Sequence, residues 1–226
     1  MKKIEQIASL IDSTNLMLDA TEAEICALCD EAADFGFAAV CVYPTDIAIC
    51  SSILYNTAVN VSTVIGFPHG RSGVQSKRAE ILEARDHGAA EVDIVLNYNH
   101  LRRDEKSLAA DEAALLCEAA RSVGLITKIV VEAGYLKKKQ KRHALAICEQ
   151  VSADFIQTST GFDLHASDPE DVALFCKHRS SKIAIKAIAK MSAGSDTTKL
   201  FQAGASRLGH SKAGKFMKEV RKAANA

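Results

Sequence analysis

Residues 91–131 read EVDIVLNYNHLRRDEKSLAADEAALLCEAARSVGLITKIVV. The stretch opens on a short β-branched run, Val92–Leu96. It continues through Lys106–Val123, where apolar residues recur at helical spacing and charged residues take the outer face. Gly124 follows, where a left-handed residue stops a helix. A second β-branched run, Ile126–Val131, comes straight after. Strand, helix, glycine and strand in this order predict a βα unit feeding a parallel sheet.

The same alternation runs on either side. Strands are expected at Phe37–Val42, Val59–Phe67, Phe155–Thr160, Ile183–Ile188 and Arg207–Gly209. Helices are expected at Glu22–Phe35, Gln75–His87, Lys139–Val151, Asp171–His178 and Asp196–Ala203. Gly36, Gly88 and Gly204 repeat the role of Gly124. With a short first strand near Ile11–Thr14 the count is eight βα units. The fold class is therefore α/β, and the architecture a closed (β/α)₈ (TIM) barrel forming a single domain over residues 1–226. The rival is an open doubly wound sheet, but no Gly-x-Gly-x-x-Gly follows a strand.

Composition agrees with one globular domain. The chain has 226 residues, 48% of them hydrophobic and 25% charged, which is ordinary for a packed core. Lys+Arg and Asp+Glu both number 28, so there is no basic excess of the kind nucleic-acid binders show. The N-terminal stretch is broken by Glu5, Gln6 and Asp12 and does not read as a signal core. Residues 47–69 lack charge but hold Ser51, Ser52, Asn56, Asn60 and Pro68, so no membrane span is expected. The seven cysteines sit mostly in apolar segments. They read as reduced core thiols in a cytoplasmic protein, Cys26-x-x-Cys29 included, with no metal site.

Barrels of this kind carry function at the C-terminal ends of their strands, so polar residues inside strands mark the site. Asp93, Val95 and Asn97 alternate onto one face, and so do Lys128, Val130 and Glu132. Lys186 interrupts the apolar run Ile183–Ile188. A carboxylate or an ammonium buried in a strand is costly unless paired. Asp93 with Lys186 is the expected pair, fit either for proton transfer or for structure alone. Gln157-Thr-Ser-Thr-Gly161 ends a strand in hydroxyls and a glycine, and Ser206–Lys212 does much the same before the last helix. Hydroxyls and backbone N–H groups at such places suit a phosphate. His69, His165 and His210 lie near strand ends and read as loop histidines.

Taken together these segments resemble the deoxyribose-phosphate aldolase family over about Ile11 to Val220. The resemblance rests on Ile11-Asp-Ser-Thr, Asp19-Ala-Thr, Val40-Cys-Val-Tyr-Pro44, Thr63-Val-Ile-Gly-Phe-Pro68, Glu91-Val-Asp-Ile-Val95, Lys128-Ile-Val-Val-Glu132, Ala153-Asp-Phe-Ile-Gln-Thr-Ser-Thr-Gly161 and Ala203-Gly-Ala-Ser-Arg-Leu-Gly209. It implies a class I aldolase that splits 2-deoxyribose 5-phosphate into acetaldehyde and glyceraldehyde 3-phosphate. A lysine Schiff base does this without metal or other cofactor. By the same resemblance Asp93 is the proton-transfer aspartate and Lys186 the lysine that tunes the nucleophilic amine.

The nucleophilic lysine itself maps to Gln157. An amide nitrogen is not a nucleophile, because its lone pair is delocalised into the carbonyl, so the covalent electron sink is missing. Near the phosphate the family's two glycines become Ala189 and Lys190, and its last-strand motif becomes Gly209-His-Ser-Lys212. The expected ligand-binding set is Thr158, Ser159, Gly161, Lys190, Ser211 and Lys212, with a phosphorylated sugar as ligand. Three readings follow. One is an aldolase-like protein working through a relocated amine: Lys186, Lys190 or Lys128. Another is an inactive or diverged relative that binds a phosphorylated ligand or a protein partner. A lyase or isomerase using Asp93, Lys186 and Glu132 without a Schiff base is a third. Many barrels of this kind dimerise, so a homodimer is the expected assembly.

Overall fold

A computed structural model describes residues 4–162, 167–180, 182–189 and 194–224. Eight parallel strands close into a barrel in chain order. They are β1 (Ile11–Thr14), β2 (Ala39–Val42), β3 (Asn60–Ile65), β4 (Glu91–Val95), β5 (Ile126–Val130), β6 (Phe155–Gln157), β7 (Ala184–Ile188) and β8 (Arg207–His210). The helices are α1 (Ile4–Ala8), α2 (Glu22–Phe35), α3 (Ile47–Leu54), α4 (Val74–Asp86), α5 (Tyr98–Arg102), α6 (Lys106–Ser122), α7 (Lys138–Gln150), α8 (Pro169–His178), α9 (Gly194–Gln202) and α10 (Ala213–Ala224). The barrel expected from the alternation is the one observed. β3, β4, β5 and β6 stop short of their β-branched runs at the C-terminal end, where the chain turns into the βα loops, whereas β2 and β7 start later than expected and β8 runs one residue further.

Local signals explain the boundaries. Thr21 caps α2 through a reciprocal pair: its hydroxyl accepts from the Glu24 N–H, and the Glu24 carboxylate accepts from the Thr21 N–H at 2.8 Å. Gly36 ends the helix with φ 69°, a left-handed turn that a Cβ would strain. Two helices escaped the periodicity. α3 contains no charged residue, so it shows no polar face, and α5 spans five residues. α1, before the first strand, was also unread.

The strands are buried on both faces, as parallel strands under helices must be. Outward residues such as Ile94, Ile129, Ile156 and Ile185 pack against helices with no exposure. The inward residues are largely polar. Above them, Lys77 of α4 fixes two βα loops. Its buried ammonium donates to the carbonyls of Gly70 at 2.6 Å and Val95 at 2.7 Å, and pairs with Glu112 of α6 at 2.6 Å. The second Glu112 oxygen accepts the Asn97 N–H at 3.0 Å.

Candidate active site

Alternation along each strand turns Asp12 (β1), Ser62 (β3), Glu91 and Asp93 (β4), Lys128 (β5), Gln157 (β6), Lys186 (β7) and Arg207 (β8) toward the barrel axis. Asp93 joins two ammonium groups: Oδ1 lies 2.7 Å from Lys128 Nζ, and Oδ2 lies 2.6 Å from Lys186 Nζ. Lys186 also reaches Asp12 Oδ2 at 2.6 Å, and Lys128 reaches Glu91 Oε2 at 2.7 Å. Arg207 meets Asp12 Oδ1 at 2.7 Å and Glu91 Oε2 at 3.4 Å. The Ser62 hydroxyl accepts from Lys128 at 2.8 Å and donates to Asp93 at 3.1 Å. Asn60 donates to the other Glu91 oxygen at 2.7 Å.

Three carboxylates and three cations thus form one buried, neutral network. An isolated buried charge would cost several kcal/mol, and each here has at least two partners. Burial works against the charge on Lys128, yet Asp93, Glu91 and Asp12 outweigh it and raise its pKa. Lys186 behaves alike: burial opposes its charge, Asp12 and Asp93 restore it, and the pKa rises. Burial also opposes ionisation of Asp93 and Asp12, and the lysines more than reverse that, so both pKa values are lowered. Both amines are ammonium ions at neutral pH. Burial, with Asp93 adding to it, pushes the nearby Cys41 thiol up to about 12. The three carboxylates have cations where a metal ion would sit. Among the described residues no group of three His, Cys, Asp or Glu could hold a metal.

Gln157 is 2% exposed and lies beside Lys186 and Val130 in the sheet register. It stands outside the network. Its Nε2 donates to its own loop, to the Ser159 carbonyl at 3.0 Å. Its Oε1 is buried with no hydrogen-bond partner among the described residues.

The other expected residues divide. Thr158 and Ser159 are buried beside Gln157, and Gly161 lies exposed on the following loop. The Gly161 N–H is taken by the Ser159 hydroxyl at 3.1 Å. Ala189 spends its N–H on the Gly209 carbonyl at 2.9 Å. Ser211 and Lys212 are exposed at the start of α10, and the Lys212 N–H donates to His210 Nδ1 at 2.9 Å. Among the described residues, the N–H groups of Thr160, Gly161, Ala189 and Lys212 are therefore engaged, while the side chains of Ser211 and Lys212 are accessible. Lys190 and His165 lie outside the described residues.

Two expected alignments need correction. Asn97 does not extend the Asp93 face, because β4 stops at Val95. Asn97 Nδ2 instead lies 3.0 Å from His100 Nε2, and His100 Nδ1 lies 2.8 Å from Glu105. Glu132 does not continue the Lys128 face either. β5 stops at Val130, and the Glu132 backbone turns left-handed at φ 44°. Its carboxylate accepts the Thr160 N–H, tying the end of β5 to the loop after β6.

Asp12, Ser62, Glu91 and Arg207 were not expected in the network. Glu91 and Arg207 open their strands, where a charge reads as an ordinary solvated end. The signal was positional: residue 91 lies two before Asp93 and must share its face. The mouth of the barrel is aromatic. Phe67, after β3, contacts Tyr43 at 5.9 Å and Phe162 at 5.6 Å between ring centroids. Phe162 follows β6, so its loop reaches across to the β3 side.

A family model for the DeoC/LacD family aldolases matches residues 6–217. This chain belongs to that family. It is 39% identical over 205 residues to a deoxyribose-phosphate aldolase of a Geobacillus species, covering 91% of this chain and 92% of that one. It is 35% identical over 222 residues to the deoxyribose-phosphate aldolase of Caldanaerobacter subterraneus subsp. tengcongensis, covering 98% and 96%. The tetrameric deoxyribose phosphate aldolase structure from Aeropyrum pernix superposes with a TM-score of 0.91 at 27% identity, covering 99% of this chain and 94% of that one. Among the described residues no helix is long and apolar enough to cross a membrane.

Proposed function

We propose that this member of the aldolase family binds a phosphorylated sugar without forming the family's Schiff base. The state of the buried amines carries this reading. With Gln157 at the position the resemblance gives to the nucleophile, an aldolase would need Lys186 or Lys128 instead. Each is pinned by two carboxylates at 2.6–2.7 Å. A nucleophilic amine must be neutral and free to rotate onto a carbonyl. These two are protonated, and moving either would leave buried carboxylates unpaired.

Ligand capture rests on what remains open at the C-terminal end of the barrel. Ser211 and Lys212 offer a hydroxyl and an ammonium at the head of α10, and Gln157 Oε1 offers a buried acceptor to a ligand hydroxyl. Lysine binds phosphate as a point charge. A homodimer is the assembly we propose for the bound form.

The test is incubation with 2-deoxyribose 5-phosphate and sodium borohydride, followed by intact mass and peptide mapping, with acetaldehyde release followed in parallel. No adduct and no acetaldehyde are expected. The same sugar at about 100 times its Kd should raise the thermal midpoint, since such saturation contributes about 2.7 kcal/mol. A reduced adduct on Lys186, Lys190 or Lys128 would overturn the proposal in favour of an aldolase with a relocated amine. No adduct and no thermal shift would leave a protein-binding relative.

A further inference from the structure

The zero net charge of the whole chain hides one local excess. Residues 137–143 read KKKQKRH, five Lys or Arg in seven positions with no Asp or Glu. Such a run marks either a polyanion surface or a solvated helix end, so its neighbours decide. It leads from the turn Ala133–Tyr135, after β5, into α7. The run therefore stands on the rim of the barrel mouth, where α5 and the start of α6 follow β4.

Three elements bring cations together there. Gln140 Nε2 of α7 donates to the Arg102 carbonyl at 3.1 Å, which fastens α7 to the end of α5. Half-buried His143 feels Lys106 of α6 as well as Lys139 and Arg142 of its own helix; burial and these cations lower its pKa, against Asp104. Arg102, Arg103 and Lys106 are exposed. So are Lys137, Lys138, Lys139 and Arg142. None of the seven is ion-paired among the described residues. The carboxylates around them are fewer. Glu105 is taken by His100 at 2.8 Å, and Asp171 by Lys141. Asp104, Asp111 and Glu170 are exposed nearby. α7 has no acidic residue in its first turn, so its lysines oppose its own dipole and helix stability does not account for them.

Arg102 adds a plane to this charge. Its guanidinium lies 5.7 Å from the centroid of the Tyr135 ring, and Tyr98 stacks on that ring at 5.5 Å and 12°. An unpaired base stacks on such an arginine plane. Single strands present unpaired bases, and their phosphates suit lysines spread over a surface. A lipid surface would need apolar side chains to insert beside the charge. Met17, Leu18, Ile53 and Tyr55, all exposed, lie instead on the β1 to β3 side of the barrel. An acidic peptide would use the charge and leave the plane idle.

We propose that this rim binds single-stranded nucleic acid, with phosphates on the cations of α5, α6 and α7 and a base on the Arg102 guanidinium. The contact is electrostatic in the main and reads little sequence.

Fluorescence anisotropy of a labelled oligo-dT strand of about 16 nucleotides, titrated with the full chain across salt concentrations, tests this. Binding should appear with a Kd of about 1–100 μM at physiological salt. If four of the cations meet phosphates, log K should fall with log salt at a slope of about −3. Two variants accompany the wild type, and circular dichroism confirms their folding. Lys138→Ser/Lys139→Ser/Arg142→Ser should weaken binding at least about tenfold and flatten the slope by about 2. Arg102→Lys keeps the charge but loses the plane. It should weaken binding about fivefold, the low end for one stacked base, with the slope unchanged. Anionic phospholipid vesicles and a glutamate polymer should compete less well than unlabelled strand. No binding at low salt and about 100 μM protein would overturn the proposal. So would binding that survives the triple substitution, which would place the strand elsewhere. An Arg102→Lys variant that binds as the wild type does, or vesicles or polymer that displace the strand as well as unlabelled strand does, would overturn it in favour of a surface for lipid or acidic protein.

Discussion

At the scale of single residues the chemistry turns on position 157. In sheet register Gln157 neighbours Lys186 on β7 and Val130 on β5, and Lys128 lies two residues before Val130 on that same adjacent strand. A lysine placed there would be buried beside cations, and both conditions lower an ammonium pKa. Gln157→Lys should therefore supply the neutral amine that Lys186 and Lys128 cannot. The expected outcome is an adduct with 2-deoxyribose 5-phosphate, trapped by borohydride and mapped to residue 157. Acetaldehyde release should exceed that of the parent by at least about 100-fold, the scale set by placing a reacting group correctly. A folded variant without adduct would place the defect in ligand binding, where Ala189 and Gly161 have already engaged their N–H groups. Asp93 is the structural counterpart. Asp93→Asn leaves Lys128 and Lys186 short of one negative charge in a closed pocket. The loss should be about 3–5 kcal/mol, read from the midpoint of urea unfolding.

At the scale of elements, the loops over the site depend on a contact remote from it. Lys77 and Glu112 sit on α4 and α6, yet they hold the Gly70 and Val95 carbonyls and the Asn97 N–H. Lys77→Met keeps the length of the side chain but strands the Glu112 carboxylate. We expect about 3–5 kcal/mol of destabilisation and faster amide hydrogen exchange at Asn97, with the amides of β4 less affected. Unchanged exchange at Asn97 would show that the loops hold themselves. Elements also show how far the sequence could be read. Alternation of β-branched runs and charged helices, punctuated by Gly36, Gly88, Gly124 and Gly204, was enough for the barrel, because each cue acts locally. α3 was hidden because a helix without charge has no polar face to reveal its period. Asp93 and Lys186 stood out as charges inside apolar runs. Asp12, Glu91 and Arg207 did not, since their ion-pair partners lie 37 to 195 residues away in the chain, and closing the ring is what brings them together.

For the whole molecule, the buried network sets the pH range of stability. The pKa values of Asp12 and Asp93 are lowered on folding. Carboxylates of this kind stabilise above the unfolded pKa of about 3.9 and cease to as pH falls through the folded value. Lys128 and Lys186 are raised. Their contribution is complete below the unfolded pKa of about 10.4 and is lost only as pH rises through still higher values. Neither set titrates between about pH 5 and pH 9, so the network predicts a flat stability plateau there. Acid loss should begin near pH 4 and alkaline loss above about pH 10. Thermal midpoints measured across this range check the shape. Asp93→Asn supplies the control, because it removes one of the lowered carboxylates and should make the acid limb shallower. A midpoint that climbs as pH rises from 6 to 8 would mean that one of the two lysines is neutral in the folded barrel, because the unfolded chain then binds the extra proton. A free amine would then be present, and the borohydride experiment should find it.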